Sequence, residues 1–231
     1  MRIIRPEQRV YTIGNPGLRI EGALASAVGE WWEVPGKTCV AAWQPKGAAS
    51  FAASLVNLAQ PGTYDAVSGA TDPTWATGSG WTFNGSQHMA TGLTPNQDGS
   101  WSVIIQYTDL VTSGYNSCGI FAYQSGAARE FGVGGYWGGN QVTYGTGSKK
   151  ATKGPQLLAG NLCAAGAVGY RNGTFDVALG DAATGTIQAI RLGGEAVSAL
   201  RARVVMVAAA IYSSTLAAGE VATLSAAMAA L

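Results

Sequence analysis

The chain has 231 residues, of which only 12% are charged and 47% hydrophobic, with 14 Lys+Arg against 13 Asp+Glu. The apolar content excludes disorder, and a net charge of +1 is too weak a field to hold polyanions, which excludes nucleic acid as the main ligand. No apolar run approaches the roughly 20 residues of a membrane helix, so no membrane partner is expected.

Residues 1–36 differ from the rest. Arg2, Arg5, Arg9 and Arg19 face only Glu7 and Glu21, and Pro6, Pro16 and Pro35 interrupt any long element. The stretch reads as an N-terminal arm or attachment segment leading to Trp31 and Trp32. It has no continuous apolar stretch before a small-residue cleavage site, so synthesis in a reducing cytoplasm without a signal peptide is expected. Cys39, Cys118 and Cys163 are odd in number and match neither a disulfide framework nor a zinc pattern; they read as buried free thiols.

Residues 37–231 read as one domain, and its pattern is β. Short runs rich in Val, Ile, Tyr, Phe and Trp alternate with Gly, Asn, Asp and Pro, the signature of a sandwich or barrel. Cys39–Trp43 is the first predicted strand. Residues 48–58 form a short helix, ended by Gln60-Pro61-Gly62. Strands follow at Trp81–Phe83 and His88–Thr91, with Asn84-Gly85 between them as a tight hairpin turn. In Trp101–Leu110 the alternation is clear, with Trp101, Val103, Ile105 and Tyr107 on one face. Gly119–Tyr123, Glu130–Gly134, Gln141–Tyr144 and Gln156–Leu162 continue the series. Asn172-Gly173 joins Val168–Arg171 to Thr174–Leu179 and predicts a two-residue hairpin with both central residues at positive φ. Ile187–Leu192 and Arg203–Tyr212 are the last strands. Residues 217–231 form the better helix, because Val221, Leu224, Met228 and Leu231 make one apolar stripe on an Ala-rich body. No fixed-period repeat is present, which excludes propellers and solenoids.

Read together, these landmarks resemble the laminin-G-like jelly rolls of the concanavalin A-like lectin/glucanase superfamily. Gly80-Trp-Thr-Phe-Asn-Gly-Ser is similar to that family's Phe-Asp-Gly-Ser turn, and Gly169-Tyr-Arg-Asn-Gly-Thr to its Tyr-x-Asp-Gly hairpin. Ser100–Tyr107 resembles the long central strand, and Val205–Leu224 the closing strand with its following helix. The resemblance implies an all-β fold: a two-sheet antiparallel β-sandwich (jelly roll, concanavalin A-like) with a C-terminal α-helix. Trp43–Asp65 is also similar to an opening seen in such domains from bacteriophages and uncultured microbes. Departures from the family pattern matter. Asn84 and Asn172 stand where the family has Asp, and the closing strand is apolar where many members carry Asp. With those carboxylates gone, calcium has a weak site or none, and no cofactor is expected. Ala217 replaces the Ser that would cap the last helix, at a cost of about 1 kcal/mol.

Chemistry is sparse. Glycoside hydrolysis needs two carboxylates at one reaction centre. The closest pairs here, Glu30/Glu33 and Asp176/Asp181, do not meet that need by local spacing. His88, the only histidine, begins a strand with no Gly-x-Ser-x-Gly elbow elsewhere, and reads as a surface or satisfied residue. The glycine spacing from Gly132 has no phosphate-loop Lys-Ser after it.

What remains is a binding surface. Seven Trp and nine Tyr in a weakly charged chain supply flat rings on which sugar CH faces stack. The candidate carbohydrate-binding residues are Tyr136, Trp137, Asn140, Gln141 and Tyr144, with Arg129 at the start of the patch and Tyr115 and Asn116 in a second loop. Tyr136 and Trp137 are equally readable as loop anchors. The sequence thus predicts a non-catalytic lectin-like protein that binds a glycan or polysaccharide and is displayed on a phage particle. There it would be a homo-oligomer that contacts other virion proteins through residues 1–36. The alternative is a virion structural, decoration or tail protein that uses the sandwich as an oligomerising brick with no specific sugar ligand.

Overall fold

A computed structural model of the chain describes residues 30–110, 119–123, 130–135, 141–181, 188–194 and 203–231. The chain divides into two compact units, Met1–Trp31 and Trp32–Leu231. Only Glu30 and Trp31 of the first are described. Along the second run strands β1 (Cys39–Trp43), β2 (Val67–Ser68), β3 (Thr74–Ala76), β4 (Gly80–Asn84), β5 (Met89–Ala90) and β6 (Ser102–Thr108). Next come β7 (Gly119–Tyr123), β8 (Glu130–Gly135), β9 (Val142–Thr146), β10 (Lys149–Lys153) and β11 (Gly160–Ala165). β12 (Val168–Arg171), β13 (Thr174–Ala178), β14 (Gly180–Asp181), β15 (Arg191–Leu192) and β16 (Arg203–Tyr212) complete the strands. Helix α1 is a single turn (Phe51–Ser54), and α2 spans Ala218–Ala229.

The strands form two antiparallel sheets, as a β-sandwich requires. Sheet A has the order β13-β12-β11-β6-β16-β4-β3, with β1 also pairing β16; sheet B runs β14-β10-β9-β8-β7-β15-β5-β2. Trp43, Trp81, Phe83, Ile105 and Tyr107 meet Met89, Ile120, Phe131 and Val133 in the core between the sheets. Trp101 packs on that core with its ring edge-on to Phe131, centroids 6.4 Å apart. The alternation predicted from Trp101 to Tyr107 therefore holds.

Strand β16 is the axis of sheet A. One of its edges pairs with β6, and the other is shared end to end by β4 and β1. Val204 and Met206 point into the core, and so do Ala209 and Ile211. A β-bulge between Met206 and Ala208 causes the change of parity, since one extra residue flips every side chain after it. Gly80, at φ 114°, lies against this bulge, where a Cβ would stand 2.2 Å from the Met206 carbonyl oxygen.

The other face of sheet A is buried too. Ile104, Cys163, Ala210 and Tyr212 are at most 1% exposed on the side away from the core. Helix α2 lies over β11 and β13 with Val221, Leu224 and Met228 buried. Asn161 Nδ2 donates to the Ser225 carbonyl (2.8 Å), and the Tyr212 hydroxyl donates to the Trp32 carbonyl (2.7 Å). Cys163 is wholly buried and Cys39 largely so, and both are free thiols. Burial pushes the Cys39 thiol up to about 12 and raises that of Cys163 as well. Cys118 lies outside the described residues.

Several elements differ from the sequence reading. The predicted helix over residues 48–58 is only one turn, capped by Ser50 Oγ, which accepts from Ala53 N. Asn57 stops it. Its buried amide accepts from Ala42 N (2.9 Å) and Ala59 N (3.1 Å) and donates to the Val40 and Thr63 carbonyls (3.0 and 2.8 Å), so the chain must turn back onto β1. Asn172-Gly173 is the predicted turn, with φ of 49° and 78°. Asn84-Gly85 is not a hairpin: only Gly85 has positive φ, and β4 and β5 belong to different sheets. Asn84 Oδ1 instead accepts from Ser86 N and Oγ in a turn that carries the chain across the sandwich. The strand expected at 156–162 begins later, at Gly160, and β10, rich in Lys, was not predicted.

Replacing Gly80 by Ala is expected to lower the unfolding free energy by about 2–3 kcal/mol in urea titrations, because a side chain there meets backbone that cannot retreat. Ala217→Ser is expected to raise stability by about 1 kcal/mol in the same assay. The α2 N-cap has no side-chain acceptor at present, and only Glu220 reaches back, accepting from Ala217 N at 2.6 Å.

Candidate functional site

Tyr144 corrects the sequence reading. Gln141–Tyr144 was expected to carry it at the margin of a loop, but β9 runs on to Thr146, and its alternation turns Val142 and Tyr144 into the core. Tyr144 is 0% exposed and lies flat against Gly169, where a Cβ would come within 2.6 Å of the ring. Its hydroxyl donates to Asp176 Oδ2 at 2.7 Å, and the same oxygen accepts from Arg171 Nη2 at 2.9 Å. Arg171 Nη1 donates to the Pro155 carbonyl. Burial, and then the Asp176 carboxylate, push the phenol well above its ordinary range. Tyr144 is a pillar that ties sheet B to sheet A, with no ring face open to a sugar.

Gln141 is described and half-buried, and its carbonyl accepts from Gln156 Nε2. Tyr115, Asn116, Arg129, Tyr136, Trp137 and Asn140 lie outside the described residues. The strand ends next to them are described. Gly119, which comes after 111–118, pairs with Gly134, and Gly135, which precedes 136–140, pairs with Val142. These anchors share one end of sheet B. Glu130, next to Arg129, pairs with Tyr123 at the opposite end.

Sheet A is buried on both sides from β11 to β16, and the middle of the outer face of sheet B is buried as well, at Gly119, Gly132, Gly134, Thr143 and Gly145. The residues of this face are set by the register. Lys150, Gly145, Gly132, position 121, Arg191, Ala90 and Val67 are successive cross-strand partners and form one row. Thr152, Thr143, Gly134 and Gly119 form the next. The centre of this face is a floor of glycines, at 119, 132, 134 and 145. Glycine within a strand marks a place where another group approaches the backbone closely. Thr143 points out of the sandwich yet is 1% exposed, and its Oγ1 is buried with no hydrogen-bond partner. Arg191, half-buried in the adjoining row, makes no hydrogen bond or ion pair with any described residue. The sequence reading missed both Thr143 and Arg191.

Among the described residues, Asp176 and Asp181 do not converge. Asp176 belongs to sheet A and is held by Tyr144 and Arg171, whereas Asp181 belongs to sheet B and pairs with Lys149 at 2.9 Å. The His88 ring packs against Gly69, where a Cβ would be 2.7 Å away. Among the described residues no group of three or more His, Cys, Asp or Glu is arranged to hold a metal ion, and no helix is long and apolar enough to cross a membrane.

No protein-family model matches the chain, and no curated protein sequence does. Solved structures do match in fold. A Trypanosoma rangeli sialidase in complex with sialic acid superimposes with a TM-score of 0.56 at 17% identity, over 81% of this chain and 32% of that one. This chain therefore spans about a third of the sialidase's length. Domain 4 of AbnA, a GH43 extracellular arabinanase from Geobacillus stearothermophilus in complex with arabinotriose, gives 0.51 at 16% identity over 82% of this chain and 98% of that one. The receptor-binding domain of botulinum neurotoxin C/D mosaic serotype gives 0.53 at 11% identity, covering 82% and 51%. At these identities the likeness establishes the sandwich fold alone.

Tyr144→Phe deletes the hydroxyl bonded to Asp176 and leaves the ring in place. It is expected to cost about 2 kcal/mol of unfolding free energy, measured by denaturant titration.

Proposed function

We propose that the domain is a non-catalytic carbohydrate-binding module. The observation that carries this reading is the sandwich likeness to domain 4 of the arabinanase, a structure that contains arabinotriose, which extends over 82% of this chain and 98% of that one; it supports the reading by analogy. The separate engagements of Asp176 and Asp181 support binding without turnover, because bond cleavage needs two carboxyl groups about 5–9.5 Å apart flanking one bond.

Display on a phage particle, as a homo-oligomer attached through residues 1–36, is the context we propose with it. Its support is the sequence resemblance of Trp43–Asp65. Many copies would turn weak single-site binding into avidity. A strict monomer by light scattering that fails to co-sediment with particles would remove this context and leave the sugar reading intact.

A glycan array followed by isothermal titration with its best ligand tests the reading on the full chain: saturable binding of a saccharide is expected, and an array with no member bound at millimolar sugar would overturn it. Thr143→Val, which replaces an unpartnered buried hydroxyl with a methyl of the same shape, should leave stability unchanged or raise it slightly in denaturant titrations.

A further inference from the structure

Resting on the proposed carbohydrate reading, we infer that Tyr64, in the loop between α1 and β2, is the stacking platform of the site, on which a neutral saccharide lays the CH face of a ring. Tyr64 has a φ of 60°. Among the described residues only Asp109 and Asn172 share a positive φ without being glycine, and Asp and Asn tolerate that conformation. A bulky aromatic residue does not. Glycine or asparagine would make the same turn without the cost, so the strained backbone points to a use for the side chain. Packing is not that use. The ring does not belong to the hydrophobic core, the residue is 37% exposed, and its hydroxyl makes no hydrogen bond with any described residue.

The loop presents this ring from a fixed base. Thr63, just before it, accepts at its carbonyl from the buried Asn57 Nδ2 (2.8 Å), and its N–H donates to the Gln60 carbonyl (3.0 Å). Asp65, just after it, accepts through Oδ1 from Asn57 N (2.8 Å) and Gly62 N (3.2 Å). Ala66 is buried in the core, and its N–H donates to the Leu55 carbonyl at 2.8 Å. With both neighbours pinned, the ring is ordered before a ligand arrives, and little conformational entropy is lost on binding. Pro61, Gly62 and Thr63 are exposed with Tyr64, and a Cβ on Gly62 would have no atom within 4 Å, so the flank of the loop is open. The Thr63 hydroxyl and Asp65 Oδ2 bond no described residue and are available to ring hydroxyls, which both donate and accept. Residues 60–64 carry no charge and Asp65 is acidic, which favours a neutral saccharide over an acidic one.

Isothermal titration of the full chain and its variants with the best neutral ligand from a glycan array tests this. Tyr64→Asn removes the ring and leaves a residue at ease with positive φ. Its affinity should fall about tenfold, while its urea midpoint of unfolding holds or rises. Tyr64→Phe and Tyr64→Trp keep an aromatic face and should bind within about threefold of the parent. A loss of binding that follows the ring, with stability unmoved or improved, is not what a merely structural tyrosine gives. Unchanged affinity in Tyr64→Asn would overturn the platform and leave carbohydrate binding standing. A marked drop in the unfolding midpoint of that variant would make the ring a packing residue and overturn the platform too. An array that retains only acidic glycans sinks the neutral ligand, and one with no member bound overturns the carbohydrate reading and this inference with it.

Discussion

Burial of β16 on both faces is the constraint on which the rest of the architecture depends. A strand covered on one side shows alternating polar and apolar residues; one covered on both reads as a continuous apolar run. Val204 to Ile211 is such a run, and it demands a layer above as well as below. Sheet B supplies one; on the other side the Tyr212 hydroxyl donates to the Trp32 carbonyl, and Ala208, Ala210 and Tyr212 are fully buried. The bulge at Val207 then rotates the inward set by one position, so the large side chains fill the core near β4 while alanines admit the close approach of β1. Gly80 is the complement of that bulge, leaving space where the Met206 carbonyl leans across.

Polar groups inside the sandwich fix register more than they add stability. Asn57 binds four backbone groups from β1 and the loop beside it, with Asp65 accepting from its own N–H, so that it replaces strand pairing where β1 has no neighbour. The Tyr144–Asp176–Arg171 cluster does the equivalent at the opposite seam, joining residues of both sheets through a half-buried ion pair. A pair removed from water gains little net energy, but its geometry tolerates no slippage of one sheet over the other.

Much of the fold was legible where side-chain type and backbone preference agree. Cys39–Trp43, Gly119–Tyr123, Val168–Arg171 and Arg203–Tyr212 have the expected bounds because β-branched and aromatic residues fill them between turn residues. Asn172-Gly173 was readable because both residues tolerate positive φ. Asn84-Gly85 has the same letters but a different partner across the turn, and only the sheet order decides between hairpin and crossover. β10 was invisible for another reason: its lysines guard a strand near the sheet edge and erase the apolar signal. The candidate site was least legible. Thr143 and Arg191 are ordinary residues until the register places them beside Gly132, Gly134 and Gly145, and Tyr144 looked like a ligand platform because the strand carrying it was read two residues short.

The position of β16 in chain order also bears on how the protein is made. A ribosome releases β3, β4 and β6 well before the strand that must lie between them, so sheet A stays in two halves with bare edges until residues 203–212 emerge. The pairing then joins segments about a hundred residues or more apart, a topology that folds slowly and exposes unpaired strands meanwhile. A nascent chain therefore carries the facing edges of β4 and β6 unpaired until this keystone arrives.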